Sequence, residues 1–327
     1  MNRKRWIALG VVIILFIVYI RTDVSQSISG NDWRQSLFST DLYTTETYQE
    51  GMGKTIAILS VEGIIQDQAD PFLSSTSSYN HQVFLKQLEE AFINPEIKAI
   101  VLAVDSPGGG VFESDEIYQD IVSLKKKYQK PLIVSMGSMA ASGGYYISAP
   151  ADKIFAHRNT ITGSIGVIMS TINYHELTDK LGIRDETFKS GDNKDLLNPM
   201  RDITEEERQI MQGIIDESYQ YFVDVVAEGR DMKRQEVIKI ADGRIYTARQ
   251  AKELGLIDGI GTLDDAIKEA ARMINEKDPH VILFKTDSLF SLERWLAEIT
   301  RPSIDILGME RDLQKSTVPS LLYLYQY

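Results

Sequence analysis

A serine at a glycine-rich corner is the feature of this sequence that most directly suggests chemistry. Ser142 follows Ala141 and precedes Gly143 and Gly144, at a point where an apolar run gives way to residues that can continue as a helix. Small neighbours leave room for a substrate backbone to approach the hydroxyl. A helix that begins there would direct unpaired N–H groups and a partial positive charge at an oxyanion beside the serine. The pattern predicts a serine nucleophile.

The base that would activate Ser142 is either a histidine or a lysine. The four histidines are His81, His157, His175 and His280. None of them stands in a glycine-lined or otherwise distinctive loop, so a surface or core role is the simpler interpretation of each. A lysine removed from water is the other choice, because desolvation allows it to accept the serine proton. The best segment for it is 188–195, although most lysines are simply solvated.

A second loop with possible chemistry is Ser106–Gly110, which directly follows the apolar run 99–104. Doubly wound sheets place ligand loops at this position. Pro107 fixes the turn, and the glycines free backbone N–H groups to face a crevice. No Gly-Lys-Ser/Thr follows, which disfavours a phosphate loop, and a plain tight turn remains the simpler interpretation of this loop taken alone.

The elements that must position these loops alternate between strands and helices. Apolar strand patterns over 55–65, 99–104 and 131–135 are separated by amphipathic helical patterns. This arrangement indicates a parallel sheet covered on both faces. The absence of an internal repeat and a length of about 230 residues predict one α/β domain over 54–280.

Later elements carry clear helix starts. Three helices are expected to open at the capping pairs Thr204/Glu207, Thr247/Gln250 and Thr262/Asp265. Short strands are expected over 153–157 and 186–190. The segment 22–53 is polar and lacks an apolar period, so it is predicted to be a linker, and 281–327 is treated as a C-terminal extension and tail.

The N-terminus carries an apolar run, Trp6–Ile20, with three basic residues before it and Arg21 after it. Its 15 residues would span about 22 Å as a helix, which is short for a hydrocarbon core of roughly 30 Å. No Ala-x-Ala pattern follows, so a retained anchor over 1–21 is favoured over a cleaved signal peptide. The charge bias places the N-terminus in the cytoplasm and the rest of the chain outside the cell membrane, in a single-pass arrangement.

Composition excludes several functions. The formal net charge is −12 and no long basic stretch offsets it, which disfavours nucleic acid as a partner. The chain has no cysteine, so disulfides, a thiol nucleophile and thiolate metal sites are excluded.

Four segments, in order, resemble the signal peptide peptidase A family, membrane-bound bacterial serine proteases of the Ser–Lys type. They are Val104–Gly110, Ala141–Ser148, Thr162–Val167 and Lys189–Asp195. A fifth segment, Asp242–Ala251 running on to Asp258, is typical of the wider superfamily. The resemblance covers about 54–275 and implies a Clp protease/crotonase-like α/β fold of ββα repeats with an N-terminal transmembrane anchor.

The resemblance also implies roles for individual residues. Ser142 matches the nucleophile and Lys194 the general base, while Ser164 matches the serine that orients the lysine amine. The N–H groups of Gly109 and Gly143 match the oxyanion hole. No cofactor or metal is implied.

Two residues compete with these assignments, and one segment departs from the family pattern. Lys189 is the rival base, but Lys194 occupies the lysine of the family's Lys-Asp pair. Ser138 lacks the following Gly-Gly and is expected to be a decoy. After Asp195 the chain reads Leu196–Pro199, which is bulkier than the family pattern and points to an altered pocket shape.

The implied activity is a serine endopeptidase that degrades remnant signal peptides, and other apolar or unfolded peptides, at the membrane. Family members form dome-like homo-oligomeric rings, so Ser142 and Lys194 can meet across a subunit boundary. The alternatives are a crotonase-like acyl-CoA enzyme and a non-catalytic membrane scaffold. A Clp-type protease is disfavoured by the placement of the histidines.

The C-terminus itself is similar to a protease substrate. Leu321–Tyr327 is apolar and aromatic and follows a polar segment around Pro319. We expect it to reach an active site of the same or a neighbouring subunit and to act as a built-in competitor. The alternative is a terminus docked in a ring interface.

Overall fold

The fold is known from a computed structural model that describes residues 43–67, 79–286 and 322–324. In chain order its strands are β1 (Tyr43–Gln49), β2 (Thr55–Glu62), β3 (Ile97–Ser106), β4 (Gly108–Gly110), β5 (Leu132–Ala141), β6 (Lys153–Ala156), β7 (Ile161–Gly163), β8 (Ile245–Thr247), β9 (Gly259–Ile260), β10 (His280–Thr286) and β11 (Leu322–Leu324). The main sheet has the order β1-β10-β2-β3-β5-β6-β9, with β7 paired to β5 and β8 to β7. A separate two-stranded ladder joins β11 to β4.

The helices cover this sheet. They are α1 (His81–Ile93), α2 (Val111–Tyr128), α3 (Gly143–Ser148), α4 (His175–Leu181), α5 (Glu205–Gly229), α6 (Arg234–Ile240), α7 (Ala248–Glu253) and α8 (Leu263–Met273). A short 3₁₀ turn, Asp192–Asp195, precedes α5.

The centre of the sheet is parallel and apolar. Strands β2, β3 and β5 pair in parallel, and their inward residues are almost fully buried. On one face, Ala266, Ile267 and Ala270 of α8 pack against Ile58 and neighbouring strand residues. Other helices contribute to the larger core on the opposite face. The structure is therefore a mixed α/β fold whose mostly parallel sheet is covered on both faces, as the sequence predicted.

The sheet is wider than the sequence indicated. Residues 43–49, predicted to belong to the linker, form edge strand β1, which pairs antiparallel with β10. Its side chains are mostly exposed on both faces, so no apolar period marks it, although Thr and Tyr favour strands. The predicted boundaries at 54 and 280 are therefore wrong, because the described sheet extends from Tyr43 to Thr286.

Local predictions differ in outcome. All three capping boxes are present at the starts of α5, α7 and α8. The strand predicted over 186–190 is wrong: these residues form no strand and lie exposed. The predicted anchor over 1–21 lies outside the described residues, as does most of the C-terminal extension. Among the helices that the structure describes, none is both long and apolar enough to cross a membrane.

Candidate active site

Ser142 lies at the corner between β5 and α3, in a strained backbone conformation. Its φ of 52° and ψ of −117° fall in a region that favours glycine, and a serine there costs about 1–3 kcal/mol. The residue is only 1% exposed. The Ser142 N–H donates to the Gly163 carbonyl at 2.8 Å, which ties the corner to the end of β7.

Ser164 is brought to the same place by strand pairing. Ala141 and Gly163 are register partners at the ends of parallel strands β5 and β7, so the two serines that follow them emerge at one edge of the sheet. Ser164 also has a positive φ, 51°, and its N–H donates to the Arg244 carbonyl at 2.8 Å. Both serines line one cavity of about 550 Å³. The structure therefore unites the predicted nucleophile with the predicted orienting serine.

The two glycines predicted to form the oxyanion hole also lie close together. A Cβ placed on Gly143 would lie 3.1 Å from the Gly109 nitrogen and 2.6 Å from Ser114 Oγ. A Cβ on Gly109 would lie only 1.8 Å from the Ile65 carbonyl oxygen. Neither position accepts a side chain without displacing its neighbours, so glycine is required for this close approach.

The C-terminal tail is seated at this site. Strand β11 lies antiparallel to the glycine-rich strand β4, with Tyr323 opposite Gly109. On its other side, the Leu322 N–H and carbonyl bond to the Ile168 carbonyl and N–H at 3.0 and 3.1 Å. Leu324 lines the cavity that holds Ser142. Residues 322–324 of the tail therefore reach the cavity of Ser142 in the same chain.

The backbone of Tyr323 approaches the predicted oxyanion donors. A Cβ built on Gly108 would lie 1.9 Å from the Tyr323 carbonyl oxygen and 2.7 Å from the Gly143 nitrogen. The carbonyl and that N–H are therefore neighbours on one side of Gly108. This close approach requires a glycine at 108, whose φ is +103°.

The side chain of Tyr323 fills an aromatic pocket. Its ring stacks on Tyr146 at a centroid distance of 4.8 Å and contacts Phe222 at 4.7 Å. Its hydroxyl donates to the Ser218 carbonyl at 3.0 Å. Burial raises the pKa of Tyr323 above its usual value, so the phenol remains a hydrogen-bond donor. The pocket accepts a large aromatic side chain with one polar end.

Lys194 does not join this arrangement within the chain. It lies in the exposed 3₁₀ turn 192–195 and does not line the cavity of Ser142 and Ser164. Its amine forms no hydrogen bond or ion pair with any residue that the structure describes. Within one chain, Ser142 and Ser164 lie together with the two glycines, and these residues form the serine half of the predicted site. The turn that carries Lys194, the lysine half, lies apart from them.

The rival lysine is already engaged. Lys189 Nζ forms an ion pair with Asp195 Oδ1 at 2.7 Å and donates to the Asp192 carbonyl at 2.8 Å. To accept the proton of Ser142, the Lys189 amine would have to break both contacts. Of the two lysines, only Lys194 has an amine with no partner among the described residues.

The remaining candidates serve other contacts. Ser138 donates from Oγ to Asp105 Oδ1 at 2.7 Å. All four histidines lie in the described residues, and none lines the Ser142 cavity. His81, the most buried, lies between the Tyr79 hydroxyl at 2.6 Å and Glu116 at 2.7 Å. These contacts agree with the interpretation of Ser138 as a decoy and of the histidines as structural.

Sequence reasoning missed two parts of the site. Tyr146 and Phe222 form the aromatic pocket although they lie far apart in the chain, and only Tyr146 belongs to a segment that carries the family resemblance. Arg201 binds Asp195, the residue after the predicted base. In the sequence it follows Leu196–Pro199, a segment that is notable only for its bulky side chains. An isolated Arg, Tyr or Phe carries no spacing pattern, so only the three-dimensional structure reveals these roles.

Comparison with known proteins gives a consistent result. Residues 124–277 match the model of peptidase family S49. The chain is similar to a protein of Enterococcus faecium that bears the name putative signal peptide peptidase SppA, with 41% identity over 90% of this chain and 88% of that protein. It is also similar to Protease 4 of Haemophilus influenzae, with 30% identity over 91% of this chain and 51% of that protein. The serine protease SPPA, chloroplastic, of Arabidopsis thaliana is 33% identical over 79% of this chain and 38% of that protein.

Proposed function

The chain belongs to peptidase family S49 and is a serine peptidase, and we propose that it is a membrane-anchored endopeptidase that degrades remnant signal peptides. In this proposal Ser142 and Lys194 form the catalytic dyad. The fold is assigned to the Clp protease/crotonase-like class, whose glycine-rich loops suit acyl transfer.

The observation that carries this proposal is the seating of β11 against β4. An extended peptide with the sequence Leu-Tyr-Leu pairs with the glycine-rich strand, and its last residue, Leu324, lines the cavity of Ser142. Main-chain pairing binds a peptide of any sequence, and the pocket around Tyr323 selects a side chain. An apolar segment of a signal peptide, once extended, has the backbone and side chains that this groove accepts.

The proposed reaction is acyl transfer. Neutral Lys194 Nζ takes the proton of Ser142 Oγ, and the oxygen attacks the peptide carbonyl. The N–H groups of Gly109 and Gly143 bind the resulting oxyanion, and Ser164 orients the lysine amine. The lysine then gives its proton to the leaving amine. Water hydrolyses the acyl-enzyme, and the proton that it loses returns to Ser142 through Lys194.

Assembly of a ring is part of the proposal, because Lys194 stands exposed and apart from Ser142. Desolvation is what allows a lysine to act as a base, so the proposal places another surface over Lys194. The segment that leads to it carries exposed apolar side chains, including Ile172 at 66%, Leu181 at 65% and Phe188 at 97% exposure. Such a patch suits burial against a second copy of the chain. A homo-oligomeric ring in which Lys194 serves a neighbouring Ser142 would satisfy both needs.

The anchor over 1–21 remains a proposal from the sequence. It would hold the catalytic domain outside the cytoplasm and confine it to the membrane in which signal peptides remain. The seated tail would then compete with these substrates for the groove, as an internal peptide at high effective concentration.

The test uses the full chain reconstituted in lipid vesicles with a synthetic apolar signal peptide. We expect cleavage within the apolar segment, and we expect Lys194→Met to abolish it. A crotonase-like enzyme would instead turn over an acyl-CoA thioester and leave the peptide intact. A scaffold would do neither, and full peptide cleavage by Lys194→Met would overturn the dyad.

A further inference from the structure

An ion-pair network holds the turn that carries Lys194. Asp195, the residue after the lysine, accepts from Arg201 through both carboxylate oxygens, at 2.8 Å from Nη2 and 3.1 Å from Nε. Arg201 Nη2 also donates to the Asp195 carbonyl at 3.0 Å. Three contacts from one guanidinium thus fix both the side chain and the backbone of Asp195.

The other side of the same guanidinium binds the start of helix α5. Arg201 Nη1 donates to Glu207 Oε2 at 2.9 Å, and Nη2 contacts the second oxygen of that carboxylate. The side chain of Glu207 is only 1% exposed. It also closes the capping box of α5 by accepting from the Thr204 N–H at 2.8 Å. The network is therefore anchored in a helix terminus.

We propose that Arg201 is a positioning residue that clamps the 192–195 turn to the start of α5 and thereby fixes the place of Lys194. This inference rests on the proposed function, because it gives Arg201 a role only if Lys194 is the base. Arg201 itself touches no reacting atom.

Apart from the Arg201 network, the turn is held by polar contacts at the surface, among them Asn193 Nδ2 to Glu206 Oε1 at 3.1 Å and Lys189 Nζ to the Asp192 carbonyl at 2.8 Å. None of its residues is buried, and Lys194 contributes one backbone bond, from its N–H to the Gly191 carbonyl at 3.1 Å. Leu197, two residues beyond the turn, has a positive φ of 60°, which disfavours this backbone path. A displacement of about 1 Å in a catalytic group can lower a rate about 10²-fold, so a loosely held turn would be a poor platform for a base.

Isolated surface ion pairs contribute little to stability. The Arg201 network differs because one planar guanidinium bridges two carboxylates, one of them buried, with bidentate geometry that a lysine cannot reproduce. Lys189 adds a second cation on Asp195. Lys189, the rival candidate for the base, is thus the second cation of the clamp.

The test compares Arg201→Met and Asp195→Asn with Arg272→Met in the full chain. Arg272 also makes a two-contact ion pair with one carboxylate, that of Glu269, but it lies on α8. We expect Arg201→Met to lower kcat on the signal peptide by about 10-fold or more, with KM changed less than about twofold. Asp195→Asn keeps the side-chain volume and should lower kcat in the same direction by a smaller factor. Arg272→Met should leave both constants unchanged.

Hydrogen exchange gives a second readout that does not depend on catalysis. In Arg201→Met, amides of 191–198 should exchange faster while those of 215–226 in α5 keep their protection. Unchanged kcat in both Arg201→Met and Asp195→Asn would overturn the inference. So would a loss of kcat that is accompanied by loss of subunit assembly, because Arg201 would then serve the subunit contact.

Failure of the inference and failure of the proposed function give different results. If Lys194→Met is inactive while Arg201→Met retains full kcat, the dyad stands and the clamp does not. If Lys194→Met is fully active, the dyad itself is wrong. Partial recovery of kcat in Arg201→Lys would agree with a clamp that one cation satisfies incompletely.

Discussion

The serine half and the lysine half of the site are held by different forces. Ser142 and Ser164 follow paired strands of the central sheet and are buried. Lys194 stands on an exposed turn that ion pairs hold to a helix terminus. The proposed nucleophile is therefore fixed by the hydrophobic core, and the proposed base by charge.

In the proposed function, one chain supplies the proposed nucleophile and a second chain covers the proposed base. Ser142 is already buried at its strained corner in the isolated chain, and the packed core around it resists its movement. Lys194 stands on an exposed turn, and the proposed function requires another surface to remove it from water. We infer that assembly completes the proton acceptor, while the nucleophile and oxyanion donors are present beforehand.

The largest effect is expected when the Ser142 hydroxyl, in the serine half, is removed. Ser142→Ala should lower kcat/KM on an apolar peptide by about 10³-fold or more, because it removes the oxygen that is proposed to form the acyl-enzyme. Ser138→Ala provides the matched control, since its hydroxyl binds Asp105, and it should stay within about twofold of the native chain. Equal losses in the two variants would contradict the assignment of the nucleophile.

Removal of the tail should free the peptide groove beside Ser142. A chain truncated after Lys315 should cleave peptide at least about threefold faster at low substrate, with kcat unchanged, because the internal competitor is gone. Tyr323→Ala, which removes only the aromatic anchor, should give a smaller increase. If truncation left turnover at low substrate unchanged, the tail would be a structural terminus and not a competitor.

Backbone strain provides a stability test of the corner. Ser142 has φ 52° and ψ −117°, a conformation that glycine adopts freely and alanine does not. Ser142→Gly should therefore be about 1 kcal/mol more stable to unfolding than Ser142→Ala, although both are inactive. Denaturant titration of the two inactive variants measures this difference, and a more stable alanine variant would show that the corner carries no strain.

The lysine half should respond to acid where the serine half does not. The hydrogen bond from Arg201 is the largest of the causes that lower the pKa of Glu207 from 4.5 to about 2, and the same guanidinium and Lys189 lower the pKa of Asp195. Carboxylates with lowered pKa values stabilise the fold above their ordinary pKa, and this contribution is lost as the pH falls through the folded value.

The expected result is a loss of protection in the turn on acidification. Between pH about 4.5 and about 2, hydrogen-exchange protection of 191–201 should fall before that of 139–146. The Tm difference between the native chain and Arg201→Met should shrink over the same range. A Tm difference that stayed constant down to pH about 2 would show that these carboxylates do not hold the turn.

The sequence allowed much of the serine half to be predicted, because its chemistry lies in short contiguous segments. The glycines around Ser142 and the Thr-Gly-Ser of Ser164 report backbone constraints directly. The sheet edge at 43–49 could not be found, since a strand exposed on both faces has no apolar period. The Arg201 clamp and the pocket of Tyr146 and Phe222 depend on side-chain contacts that no spacing pattern encodes.

The central claim is that Ser142 and Lys194 of different chains form one site, and mixed assembly tests it most directly. We expect the Ser142→Ala and Lys194→Met chains each to be inactive when assembled alone. When they are unfolded together, mixed in equal amounts and reassembled, a site with Ser142 from one chain and Lys194 from the next should form in about a quarter of positions. Peptide cleavage should therefore return to roughly a quarter of the native rate. Mixed assemblies that form but remain inactive would contradict a shared site and place both residues in one chain.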